Sequence, residues 1–120
     1  MIEERYCSFE VAKLLKEKGF DKGCPTTYTY NGLFQFKNYK PLNSDILAPT
    51  HQMAVDFLRK KYNIYLWVQP HEYDIVEHKA SGYVFCLYQG DNYYEPCTKD
   101  YPTFKEAVEA GLMHCLINLI

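Results

Sequence analysis

The chain reads as an α+β protein: an antiparallel sheet with helices packed on one face, in the order α-β-β-α-β-β-β-α. Three observations carry that reading. Pro49-Thr50 opens the segment His51–Tyr62 and Pro102-Thr103 opens Phe104–Leu119, each threonine standing before an apolar stripe at helical spacing. Tyrosine-rich segments with β character lie between these two helices. Two further strand-like runs flank Asn31-Gly32, the strongest short-range hairpin signal. Helices gathered on one face of an antiparallel sheet bury all of these apolar faces together. With 120 residues the chain has the size of one α+β domain, 1–120. A chain of that length buries roughly two-thirds of its unfolded surface and needs no disulfide or metal to fold.

Ser8 is an N-cap for a first helix from Phe9 to about Lys18, with Val11, Leu14 and Leu15 on one face. Gly19 fits a left-handed C′ position, and Phe20 folds back on the last turn as a Schellman ending prefers. Thr26–Tyr30 and Leu33–Phe36 then form a hairpin. A two-residue Asn-Gly turn would pair Tyr30 with Leu33 and Thr29 with Phe34, with the Phe34/Phe36 face more buried. Lys37–Pro49 reads as a loop pinned by Leu42, Ile46 and Leu47. The second helix buries Met53, Ala54, Phe57 and Leu58, with Asp56 and Lys60 paired on its wet side. Ile64–Gln69 is a strand that Pro70 closes, with Ile64, Leu66 and Val68 inward and Tyr65 and Trp67 on the other face. His71–Gly82 is polar; Tyr83–Gln89 is a strand, and Gly90-Asp91 turns it into Asn92–Glu95, which Pro96 limits to an edge. The last helix opens with a capping box, Thr103 with Glu106, and its stripe includes Gly111, a residue that costs roughly 1 kcal/mol of helix propensity unless the helix must approach the sheet closely.

Composition narrows the function. Net charge is −2 with no long lysine or arginine run, which counts against a general nucleic-acid binder. No apolar run is long enough for a signal peptide core or a membrane span, so a cytoplasmic protein without membrane contact is expected. Five cysteines at irregular spacing are then reduced thiols. Aromatic residues reach 17%, twelve of them tyrosine, a side chain suited to half-buried sheet faces and contact surfaces.

Few residues suggest chemistry. The segment His71-Glu72-Tyr73-Asp74-Ile75-Val76-Glu77-His78 holds histidines and carboxylates, but their spacing matches no metal motif and suits a solvated hairpin connection. Cys7 lies just ahead of a helix N-terminus, where a thiolate is stabilised, yet a nucleophile also needs a partner histidine and an oxyanion site. His51 and Gln52 sit in the first turn of the second helix, where His51 can contact an anion with the free N–H groups, although such a residue is more often exposed and inert. Tyr65, Trp67, Tyr83, Tyr88, Tyr93 and Tyr94 can build an aromatic sheet surface that anchors a protein partner.

Ala48–Arg59, with its Pro-Thr-x-x-x-Ala-x-x-Phe-Leu-Arg pattern, and Phe104–Leu112, ending Ala110-Gly111-Leu112, resemble stretches of small uncharacterised proteins of gut bacteria and their prophages or mobile elements. The matching positions are helix caps and core residues, so that resemblance implies a shared fold and no activity. The order α-β-β-β-α from Thr50 onward is similar to the double-stranded-RNA-binding domain. Such domains carry a lysine cluster at the start of the last helix; here it reads Thr103-Phe104-Lys105-Glu106, then Glu109, and these glutamates repel phosphate. The expectation is a small non-catalytic binding module, with Tyr65, Trp67 and Tyr83 as the binding residues, no catalytic residues, no metal and no cofactor. Its partner is a protein or a second copy of the chain. A nucleic-acid-binding accessory protein is the alternative.

Overall fold

Local signals place the helices. In the structure, a computed structural model that describes residues 5–36, 46–94 and 100–120, Ser8 accepts the Val11 N–H and starts α1, Phe9–Glu17. Gly19 ends it with a φ of 93°, while the Phe20 N–H reaches the Leu15 carbonyl and the Gly19 N–H that of Lys16, the two bonds of a Schellman ending. Thr50 and Thr103 cap α2, His51–Tyr62, and α3, Phe104–Asn118, accepting the Met53 and Glu106 N–H groups. Asn63 closes α2 in the left-handed region. On the wet side of α2, Asp56 pairs with Arg59 at 3.8 Å, one turn position short of the expected Lys60.

Among the described residues, six strands form two antiparallel sheets where one was expected. The first has the order β2-β1-β3, with β1 Thr26–Tyr28, β2 Phe34–Phe36 and β3 Ile46–Leu47; the second has the order β4-β5-β6, with β4 Ile64–His71, β5 Gly82–Gln89 and β6 Asn92–Tyr94. The molecule is α+β, with helices and strands interleaved along the chain. β3 lies in the segment read as a loop. It pairs Leu47 with Thr27 and Ile46 with Tyr28, and the buried Thr26 hydroxyl donates to the Ala48 carbonyl at 2.6 Å. Leu42, the other residue expected to pin that loop, lies outside the described residues, as do Glu95 and Pro96.

The β1–β2 register differs by one residue from the Asn-Gly expectation. Tyr28 faces Phe34 and Thr26 faces Phe36. Only Gly32 takes a positive φ (90°), the Gly32 N–H bonds the Thr29 carbonyl, and the Thr29 N–H bonds the Leu33 carbonyl. A turn closed by one left-handed glycine makes a three-residue loop. The Thr29 hydroxyl, which accepts the Leu33 N–H at 3.0 Å, favours that loop over a tight turn. The slip rotates the aromatic side chains onto one side, where Tyr6, Tyr28 and Phe34 form a ring cluster. Phe36 at its end is exposed, so the Phe34/Phe36 face is not the buried one.

Pro70 lies inside β4 instead of ending it. β4 is the edge strand of its sheet, so the N–H that proline lacks is not needed for pairing with β5. Gly90 has a φ of 60° and Gln89 faces Asn92, giving the tight two-residue turn the sequence signals. The core lies between α2, α3 and the second sheet, with α1 against α3. Leu58, Ile64, Leu87, Leu112 and Leu116 are all essentially inaccessible there. Gly111 brings α3 onto the sheet: a methyl group at its position would stand 2.8 Å from Leu66 Cδ1 and 3.1 Å from Phe85 Cβ. Among the described residues no helix is long and apolar enough to cross a membrane.

Candidate functional site

Three chain segments meet where α1, α2 and α3 begin. The Cys7 N–H bonds the Pro49 carbonyl at 2.9 Å, and Tyr6 and Thr50 form a β-bridge. These contacts hold the residues ahead of α1 against the start of α2. The Tyr28 hydroxyl donates to the Cys7 carbonyl at 2.6 Å and fixes the same backbone from the first sheet. Glu109, in the second turn of α3, closes the arrangement. Its carboxylate accepts the Ser8 N–H at 3.2 and 3.3 Å and lies 2.9 Å from His51 Nε2. A carboxylate at the N-terminus of α1 also meets the positive end of that helix.

The result is a buried cluster. Cys7 Sγ, a ring nitrogen of His51 and a carboxylate oxygen of Glu109 all lie within 4.8 Å of one another. Cys7 has no accessible surface and His51 only 7%. Burial pushes the Glu109 carboxyl up, but the hydrogen bonds from His51 and Ser8 together outweigh it and hold the group below its ordinary value. Burial, and then the Glu109 charge, push the Cys7 thiol well above its ordinary value. The thiol donates weakly to the Thr50 carbonyl, with Sγ 3.9 Å away. A protonated, inaccessible thiol is a poor nucleophile, even beside a histidine.

His51 also borders an open groove of about 1170 Å³. Val55 of α2, Leu66 and Val68 of β4 and Val108 of α3 give it an apolar floor. Arg5 and Lys105 stand at its margin, together with the capping ends of α2 and α3 at Thr50 and Thr103. Two helix N-termini and two cations therefore border one apolar surface, and both helix ends present N–H groups and positive potential.

The expected binding residues divide between places. Tyr65 and Trp67 share the sheet face away from the helices, where Tyr65 faces Tyr88 across the strands and the Trp67 ring stacks on Tyr88 at 5.7 Å. Trp67 also lines the groove. Tyr83 lies on the opposite, helix-covered face and packs its ring edge-on against Phe104 of α3. The face away from the helices is not bare: Val84 and Cys86 lie on it and are buried.

The His71–His78 segment connects β4 to β5 as a solvated turn, with Asp74 accepting the Val76 and Glu77 N–H groups. His71 pairs with Asp100 and not with its neighbours in sequence. His114 packs its ring against Phe85, 5.8 Å between centroids. Cys7, Cys24 and Cys115 are free thiols, with Cys115 pushed up to about 12 by burial; Cys97 is outside the described residues.

The sequence pointed to His51 but as an exposed first-turn residue, whereas it is buried, and it did not single out Glu109. A signal for each exists: His51 is three and seven residues ahead of Ala54 and Leu58, and Glu109 is three and seven ahead of Leu112 and Leu116, so both fall on buried helical faces. No family model matches this chain, and no curated protein or solved structure is significantly similar to it.

Proposed function

We propose that this chain is a small non-catalytic binding module that takes a short acidic and apolar segment of a partner protein in the groove between α2, α3 and β4. The observation that supports this reading is the pairing of an apolar floor, Val55, Leu66, Val68 and Val108, with a cationic margin of Arg5 and Lys105. At about 1170 Å³ the groove exceeds the roughly 300–1,000 Å³ of small-molecule pockets, room enough for a peptide segment. Carboxylates on that segment meet Arg5, Lys105 and the two helix ends, while its apolar side chains lie on the floor.

Trp67 is the one tryptophan of the chain and lies at the groove, so its fluorescence reports occupancy directly. Titration with synthetic peptides alternating leucine or phenylalanine with aspartate should give a saturable change. Lys105→Glu should weaken it about tenfold, roughly 1.4 kcal/mol. An unchanged spectrum across acidic peptides, or equal affinity for their lysine counterparts, overturns the reading. The nucleic-acid alternative draws on the α2-β4-β5-β6-α3 order. Glu106 and Glu109 in the first turns of α3 weigh against it, and salt-sensitive saturable binding of duplex RNA would restore it.

A further inference from the structure

We propose that Cys7, His51 and Glu109 form a zinc site, with three protein ligands and a fourth coordination position left for water or a groove-bound ligand. The donors come from three elements far apart in sequence: the residue before the α1 cap, the first residue of α2 and the second turn of α3. One sulfur, one imidazole nitrogen and one carboxylate oxygen make the mixed donor set that borderline-soft Zn²⁺ accepts, whereas Mg²⁺ and Ca²⁺ require oxygen ligands.

The site is built before any ion arrives. Cys7 is held by the Pro49 carbonyl and the Tyr28 hydroxyl, and Glu109 by the Ser8 N–H. Those backbone and hydroxyl contacts are the outer partners that orient metal ligands. Donors around tetrahedral zinc stand about 3.3–3.6 Å apart, given Zn–N and Zn–O near 2.0 Å and Zn–S near 2.3 Å. His51 and Glu109 at 2.9 Å must separate by a few tenths of an ångström, and the 4.8 Å spread of the cluster must contract by about 1 Å. Side-chain rotation supplies shifts of that size.

Charge supports the same assignment. A thiolate and a carboxylate neutralise Zn²⁺, so the loaded site buries no net charge. On binding, the Cys7 thiol loses its proton to solvent as the S–Zn bond forms. His51 borders the groove and marks the entry path for the ion. Zinc binding by these three ligands does not depend on a peptide in the groove.

The test uses the whole chain under reducing conditions. Co²⁺ in place of zinc should give an intense sulfur-to-metal charge-transfer band at one equivalent, together with the visible bands of tetrahedral cobalt, and Zn²⁺ should bleach both. Cys7→Ser should remove the charge-transfer band, while Glu109→Gln, which keeps the shape of the side chain, should weaken metal binding at least tenfold. Wild-type protein should also gain melting temperature on adding Zn²⁺ and lose the gain with chelator. If Cys7→Ser fails to fold, the Glu109→Gln titration and the wild-type melts decide alone. No cobalt band with no zinc-dependent melting shift, or a band that Cys7→Ser leaves intact because other cysteines supply it, overturns the site.

Discussion

Glu109 joins three helices through one carboxylate: it belongs to α3, accepts from the N-cap of α1 and pairs with the first residue of α2. Its lowered pKa makes the pairing a pH-dependent contribution to stability. Because the folded value lies below the unfolded one of about 4.3, the contribution is complete above that pH and disappears as pH falls through the folded value. The groups facing the carboxylate are His51 and Cys7. With chelator present, urea unfolding of wild type and Glu109→Gln should differ at neutral pH, and the difference should shrink as acid protonates the wild-type carboxylate. A difference that does not shrink once the wild-type carboxylate has been protonated would show that it is not the stabilising group. The pairing itself was hidden for a plain reason. A histidine or glutamate on a buried stripe names its burial but not its partner, and His51 and Glu109 stand 58 residues apart.

The helices were legible because their signals are local. Ser8, Thr50 and Thr103 each accept the N–H three residues on, as such caps do, and the Gly19–Phe20 ending needs only the preceding turn. The strands were less legible. Asn31-Gly32 marked a hairpin correctly, but the Thr29 hydroxyl and a single positive φ at Gly32 chose the three-residue loop and moved the register by one. Two-residue β3 is too short for any period to show. Gly111 joins the two levels, since its helix-propensity cost is offset by contact with β4 and β5. Gly111→Ala would regain ~1 kcal/mol of propensity but crowd Leu66 and Phe85 at a cost of ~1–3 kcal/mol. The expected net effect is a loss of up to about 2 kcal/mol in urea melts. A more stable variant would mean that α3 does not press on the sheet at this point.

The whole molecule is held by the layer that α2 and α3 make on the second sheet, with α1 locked on through Glu109 and its contact with α3. Leu112 lies at the centre of that layer with no accessible surface. Leu112→Ala should cost ~2–5 kcal/mol as a large-to-small core change. A loss under about 1 kcal/mol would place the core elsewhere. The same layer decides where a ligand can go. It covers Tyr83 with Phe104, leaves Tyr65 and Trp67 on the far face, and opens the groove where the N-terminal ends of α2 and α3 meet β4.

Fold class, the three helices with their caps, the Gly90-Asp91 turn and the strand character of β4 and β5 all follow from residues within a few positions of one another. Caps, helical stripes and tight turns depend on backbone geometry over one or two turns, so their physics is complete inside a short window. The division into two sheets, the place of β3, the face that Tyr83 takes and the meeting of Cys7, His51 and Glu109 were set by packing. Each requires segments tens of residues apart to compete for the same buried surface, and no local pattern records which of them wins.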